Sequence, residues 1–346
     1  MPLTPPSPDS FTQTLLRWQA SHGRHDLPWQ QTPTPYRVLV SEVMLQQTQV
    51  ATVIPYFERW MQAFPTLEAL AQAPEDRVMA LWQGLGYYSR ARNLQKAARY
   101  LVDVCLGQFP RSLAKLQQIP GVGRYTAGAI AAFAHDEFGP IVDGNVKRLF
   151  CRLFGIEGQL SSSAVTNALW ELAERYTPQH DNRAFAQGLL DMGATLCTPK
   201  NPACERCPFA PQCVAKQSDR IAWLPTPKPK KTVPTREGLF AWQEQDGQLL
   251  LEKRPPEGIW GGLWCLPELD RPACPADATL KGEFTHTFSH YKLQAEVWQL
   301  SCLEPQASYQ AWFSPEQLQT IGLPTPIRKF IKHQKSPIHL EARLQR

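Results

Sequence analysis

Two carboxylates, a glycine-rich turn and four closely spaced cysteines are the residues of this 346-residue chain whose types and spacing could do chemistry. Glu42 lies in YRVLVSEVMLQQTQV and is the only charged side chain between Arg37 and Glu58. On a helix its neighbours at i−4, i−3 and i+3 are Val38, Leu39 and Leu45, all apolar. Deprived of water, a carboxyl there would keep its proton to higher pH, as a general acid must; at the edge of the stripe it would instead reach solvent or pair with a distant arginine. Asp143, in PIVDGNVKRL, stands just ahead of an amphipathic helix. An anion in that place can cap the first N–H groups or stabilise positive charge that develops nearby, and the two roles are compatible.

Between these carboxylates lies LQQIPGVGRYTAGAI. Ser112 is the expected N-cap of a helix carrying Leu113, Leu116 and Ile119, which Pro120 and Gly121 stop. Gly121 and Gly123 let another backbone approach, and Arg124 opens an Ala-rich second helix whose first N–H groups suit a phosphate. The same small residues would equally permit close helix packing. Further on, Cys197, Cys204, Cys207 and Cys213 are spaced C-x6-C-x2-C-x5-C. Four thiolates so close can converge on one metal centre, and the spacing alone leaves zinc and an iron-sulfur cluster open.

The elements that must position these groups read as helices up to the cysteines. DSFTQTLLRWQA is helical, a Pro-broken stretch carries Trp29 as base-pocket wall or core residue, and GLGYYSRARNL forms a loop with the aromatic Tyr87 ahead of a basic helix bearing Arg90, Arg92, Lys96 and Arg99. DRIAWLPTPKPKKTVPTR, rich in Pro and Lys, predicts an extended connector. Beyond it Asp246-Gly247 marks a β-hairpin, FTHTFSHYKLQAEVWQL alternates as a strand, and PTPIRKFIKHQ reads as a short basic helix. The net charge of +5 is compatible with nucleic acid without arguing strongly for it. No run approaches 18 apolar residues, the start MPLTPPSPDS lacks a secretory apolar stretch, and nine cysteines in a reducing compartment call for another use than disulfides.

IPGVGRYTAGAI followed by PIVDGNVKRL resembles the helix-hairpin-helix DNA glycosylases, and SEVMLQQTQV resembles their adenine-excising MutY branch. The cysteine spacing is similar to the 4Fe-4S loop of that family, and LLLEKRPPEGIWGGLWCLPE looks like the opening of a Nudix-type fold. The acidic helix of a Nudix hydrolase is missing from LDRPACPADATL, so a recognition domain is the expectation there.

The resemblance implies a multidomain α plus α+β protein: an all-α glycosylase domain over residues 1–217, a linker over 218–236, and a Nudix-like domain over 237–346. It implies that Glu42 is the catalytic acid and Asp143 the stabiliser or nucleophile, with Asn145 and Tyr125 orienting them. Gln46 and Gln47 would enter the DNA stack, Tyr87 would wedge beside the mispair, and Gly121 and Gly123 would hold backbone. Trp29 and Gln187 would face adenine, while Phe288, Ser289 and His290 would read the opposite base. One 4Fe-4S cluster, double-stranded DNA with A:8-oxoguanine or A:G mispairs as partner, no membrane, a monomer, and a bacterial cytoplasmic location at the nucleoid complete the expectation. Lyase relatives carry a lysine within the second hairpin helix, where this chain has Tyr125, so the reaction is expected to stop at an abasic site.

Overall fold

The computed structural model describes residues 5–229, 232–269, 278–301 and 309–334. They divide into two compact units, Met1–Ala71 with Lys96–Pro229, and Gln72–Gln95 with Lys230–Arg346. Among the described residues no helix is long and apolar enough to cross a membrane.

The first unit is helical. Helix α1 (Pro8–His22) begins with Ser7 accepting the Ser10 N–H and with proline in its first turn, where the missing donor costs nothing. Its Phe11 is fully buried and stacks on Phe209 at 4.7 Å, with Phe150, Tyr176 and Phe185 around it edge-on, so one ring joins four distant segments. Helix α2 (Pro35–Leu45) is capped by Thr34 and buries eight of its eleven residues, Glu42 among them. Helices α3 (Val50–Ala63) and α4 (Leu67–Gln72) follow.

Chain order then passes through α5 (Glu75–Trp82) and α6 (Ser89–Asp103) to the hairpin. The expected turn is present: α7 (Leu113–Leu116) is capped by Ser112, Gly121 takes φ +78°, and Gly123 caps α8 (Arg124–Ala129). Helix α8 runs on as a π-helix over Ile130–His135. Gly128 explains part of the small-residue pattern differently from helix packing. A Cβ there would stand 2.0 Å from the Pro140 carbonyl oxygen, and one on Gly139 would stand 2.2 Å from the Gly128 oxygen. The extended stretch that delivers Asp143 thus lies directly on the α8 backbone.

Helix α9 (Gly144–Phe154) ends at Gly155 in the left-handed region, α10 (Ser163–Tyr176) is capped by Ser162, and α11 (Asn182–Asp191) continues as a π-helix over Met192–Leu196 into the cysteine loop and α12 (Val214–Gln217). The connector is extended but not free along its first part. Leu224 is buried and its carbonyl accepts from Arg152, while Thr226 and Pro227 accept from Gly158 and Gln159.

The second unit is α+β. Strands β1 (Thr235–Trp242), β2 (Glu244–Gln245), β3 (Gln248–Lys253), β4 (Trp264–Cys265), β5 (Glu268–Leu269), β6 (Thr279–Thr287), β7 (Lys292–Gln299) and β8 (Gln310–Phe313) form two sheets. One has the order β5-β1-β7-β6, with β1 and β7 parallel; in the other β3 pairs antiparallel with β2, β4 and β8. The β2–β3 turn is Asp246-Gly247 with both φ positive, as a tight hairpin requires. On β7 the alternating Leu293, Ala295 and Val297 face a core shared with Phe330 of α13 (Thr325–Gln334). The LDRPACPADATL segment read as lacking an acidic helix lies mostly outside the described residues.

The basic helix reads differently in the structure than in the sequence. Arg90 is buried and donates to the Leu85 and Gly86 carbonyls, Arg92 to that of Gly261, and Arg99 to that of Ala71, so three of its four cations serve internal carbonyls. A Gly→Ala change in an open helix gains about 1 kcal/mol. Gly128→Ala should instead cost about 1–3 kcal/mol through overpacking against Pro140, read as a lower urea midpoint with an unchanged slope.

Candidate active site

Glu42 is 4 % exposed on the inner face of α2, and Tyr125 of α8 donates its hydroxyl to Glu42 Oε2 at 2.6 Å. Burial raises the Glu42 pKa from 4.5 to about 7; the Tyr125 hydrogen bond pulls it down and the Asp143 charge pushes it up again. The two carboxylates, 101 positions apart in sequence, therefore lie close enough to sense each other.

Asp143 is the N-cap of α9. Its Oδ1 accepts the Val146 N–H at 2.7 Å and its Oδ2 accepts the Asn145 amide at 2.8 Å. Burial raises its pKa too, against the pull of those donors and of Arg148. Arg148 was not singled out from the sequence. Its guanidinium donates to Asn145 Oδ1 at 3.0 Å, to the Gly193 carbonyl at 2.7 Å and to the Cys197 carbonyl at 2.7 Å. Gly193 is required here, since a Cβ would stand 2.5 Å from that of Asn145. The only signal in the sequence was the spacing of Arg148 three residues after Asn145.

A cavity of about 300 Å³ opens beside Glu42, of a size to admit a nucleobase. Trp29, Leu45, Phe133 and Gln187 line it with Arg24 and His25. Trp29 is at once a pocket wall and a core residue, for it is buried edge-on against Phe57 at 5.5 Å. Gln187 is not the surface residue that a lone helical glutamine usually is; it is 7 % exposed and donates to Asp191, which pairs with Arg24. Neither Arg24 nor Asp191 was apparent in the sequence.

Gln46 and Gln47 are exposed where α2 ends, Gln47 with φ +57°. Gly123 caps α8 without a side-chain hydrogen bond, and a Cβ on it would meet nothing within 4 Å, so the protein's own packing does not demand this glycine. Arg124 is turned elsewhere, pairing with Glu174 and stacking on Trp170. In the second unit Tyr87 is 49 % exposed with φ +46°. Ser289 and His290 are exposed in the β6–β7 turn, while the Phe288 ring packs on Trp260 and Tyr291.

The four cysteines line one small cavity together with Leu149, Arg152 and Phe209. Among the described residues no group of three or more His, Cys, Asp or Glu side chains is arranged to hold a single metal ion. Arg152, 3 % exposed, ties the loop to α9 through the Thr198 and Pro199 carbonyls and lies 3.5 Å from Cys197 Sγ.

Residues 40–175 match the HhH-GPD superfamily of base excision DNA repair proteins and residues 238–333 match the NUDIX domain. An adenine DNA glycosylase of Buchnera aphidicola (from Schizaphis graminum) is 35 % identical across 93 % of this chain and 98 % of its own length. The chain belongs to the adenine DNA glycosylase family. The human adenine DNA glycosylase is 37 % identical across 93 % of this chain and 73 % of its own length. Among solved structures, a thermostable thymine-DNA glycosylase covers 61 % of the chain, and is itself covered to 97 %, with a TM-score of 0.56 at 30 % identity. An endonuclease III bound to DNA has the same fold, with a TM-score of 0.52 over 62 % of this chain and 98 % of that one, at 22 % identity.

The causes of the Glu42 shift give signs that can be checked by carboxyl ¹³C titration. Tyr125→Phe removes a donor that favours the anion and should move the Glu42 midpoint above about 7; Asp143→Asn removes a like charge and should lower it. The folded pKa lies above the unfolded one. Folding therefore loses stability as pH rises from 4.5 to about 7, and Glu42→Gln should gain on the wild type in denaturation midpoint across that window.

Proposed function

We propose that the protein hydrolyses the N-glycosidic bond of adenine mispaired with 8-oxoguanine or guanine in duplex DNA, with Glu42 as general acid and Asp143 as the anion facing the sugar. The observation that carries this reading is the buried Glu42 carboxyl, protonated up to about pH 7 at the wall of a base-sized cavity. The target base must leave the stack, because its glycosidic bond is inaccessible within the duplex. Gln46 and Gln47, exposed where α2 ends, are assigned to enter the DNA stack, and Tyr87, exposed in the second unit, is assigned as a wedge beside the mispair. Gly121 and Gly123 let the DNA backbone reach the unfilled N–H groups of α8.

Adenine is a poor leaving group as an anion, so Glu42 delivers its proton to the base, most directly at N7. Cleavage then leaves positive charge on the sugar, and ionised Asp143, fixed by Val146 and Asn145, stabilises that oxocarbenium or captures it until water attacks. Tyr125 orients Glu42 through its short hydrogen bond. No amine stands at position 125, so the reaction ends at the abasic site. Ser289 and His290 hydrogen-bond the opposite base, with Phe288 beside it.

Cys197, Cys204, Cys207 and Cys213 are assigned to one 4Fe-4S cluster. The fit is supported by their shared cavity and by the C-x6-C-x2-C-x5-C spacing, which places four thiols on one short loop. When bound, the cluster supplies an anchor for the loop, and no step of the hydrolysis passes through it. The protein is assigned as a monomer of residues 1–217, 218–236 and 237–346 as glycosylase domain, linker and recognition domain.

Glu42→Gln should lower single-turnover excision from an A:8-oxoguanine duplex by about 10²–10⁴ or more while leaving duplex binding within a few-fold. A normal rate would remove Glu42 from its role, and an efficient borohydride-trapped adduct would remove the monofunctional one. Elemental analysis of the purified brown protein should find about four irons per chain and no stoichiometric zinc.

A further inference from the structure

Gln187 and Asp191 stand four residues apart on α11, and Gln187 lines the same cavity as Glu42. Asp191 is fully buried. Its Oδ2 accepts the backbone N–H of Arg24 at 2.8 Å, and its Oδ1 accepts both Arg24 Nε at 2.7 Å and Gln187 Nε2 at 2.8 Å. A carboxylate held by a guanidinium only accepts hydrogen bonds, so the Gln187 amide must turn its NH₂ toward Asp191. Its Oε1 is then the atom left to face a ligand. A free amide could flip and offer either a donor or an acceptor, whereas this one cannot.

We propose that Asp191, braced by Arg24, is a positioning residue that locks the Gln187 amide, so that the cavity presents an acceptor to the 6-substituent of the flipped purine and selects amino over keto. The inference rests on the reading of this cavity as the adenine pocket. On adenine, the N7 acceptor and the N6 amino donor lie side by side on one edge. A protonated Glu42 matches the first and a locked Gln187 Oε1 the second, and both groups line one cavity. A 6-keto purine would set its oxygen against Oε1, two acceptors facing each other with no proton between them.

The test is single-turnover excision of adenine, hypoxanthine and unsubstituted purine, each opposite guanine in one duplex, by the full-length protein and its variants. Intrinsic differences between the leaving bases cancel when variants are compared. Asparagine at 191 can donate as well as accept, so Asp191→Asn should lower the adenine-to-hypoxanthine rate ratio by roughly ten- to hundredfold. Gln187→Leu should lose as much of that ratio, and the double variant no more than either alone. A merely structural role would slow all three bases by one factor and leave the ratio unmoved. An unmoved ratio in Asp191→Asn that folds, or in Gln187→Leu whether or not the first variant folds, overturns the proposal. Wild-type protein that removes no adenine would overturn the parent reading instead, and this one with it.

Discussion

Glu42 sits on a helix buried on nearly every side, and removing its carboxyl from water penalises the anion more than any neighbour relieves it. Asp143 is pushed in the same direction by burial but has counterweights: the Val146 and Asn145 donors and the Arg148 charge. Glu42 has Tyr125 alone, and Asp143 works against it. Burial is thus opposed by more donors at Asp143 than at Glu42, so two carboxylates in one site are given unlike surroundings. The arrangement costs stability, since an uncharged side chain would sit more easily in that place.

Holding the pair together falls to features that no local pattern contains. The hairpin, the Ser112 and Asp143 caps and the cysteine spacing were legible because each is a rule about neighbours in sequence. Gly128 and Gly139 were not legible in this way. Both are placed by a contact between a helix and the extended segment that follows it, ten residues separating the two glycines, and either alone reads as an ordinary small residue. The π-turns at the ends of α8 and α11 were likewise unreadable, since they answer to packing. Gln187 was chosen by resemblance, yet what makes it informative is Asp191, whose partner Arg24 is 167 positions distant.

Helix α9 joins the two chemically distinct parts of the first unit. Its first turn holds Asp143 and Asn145, and its next turns carry Arg148 and Arg152, whose guanidiniums reach the carbonyls of Cys197, Thr198 and Pro199. The cysteine loop has little apolar content of its own beyond Phe209, which is buried against Phe11 of α1. Its shape is therefore set by carbonyls that need donors, and α9 supplies them.

The same use of guanidinium revises what the chain's charge means. A net charge of +5 invites a picture of a basic surface attracting DNA. Among the described residues, however, Arg90, Arg92, Arg99, Arg148, Arg152 and Arg183 all donate to backbone carbonyls, and Arg24 is committed to a buried aspartate. Arginine suits this work because its planar head carries five donors that can bracket several carbonyls at helix ends and loops. Such a guanidinium keeps its charge but has fewer donors left for an outside partner. The exposed backbone at Gln47, Tyr87 and Gly121 owes nothing to charge: each is held in the left-handed region, a conformation fixed by the local chain.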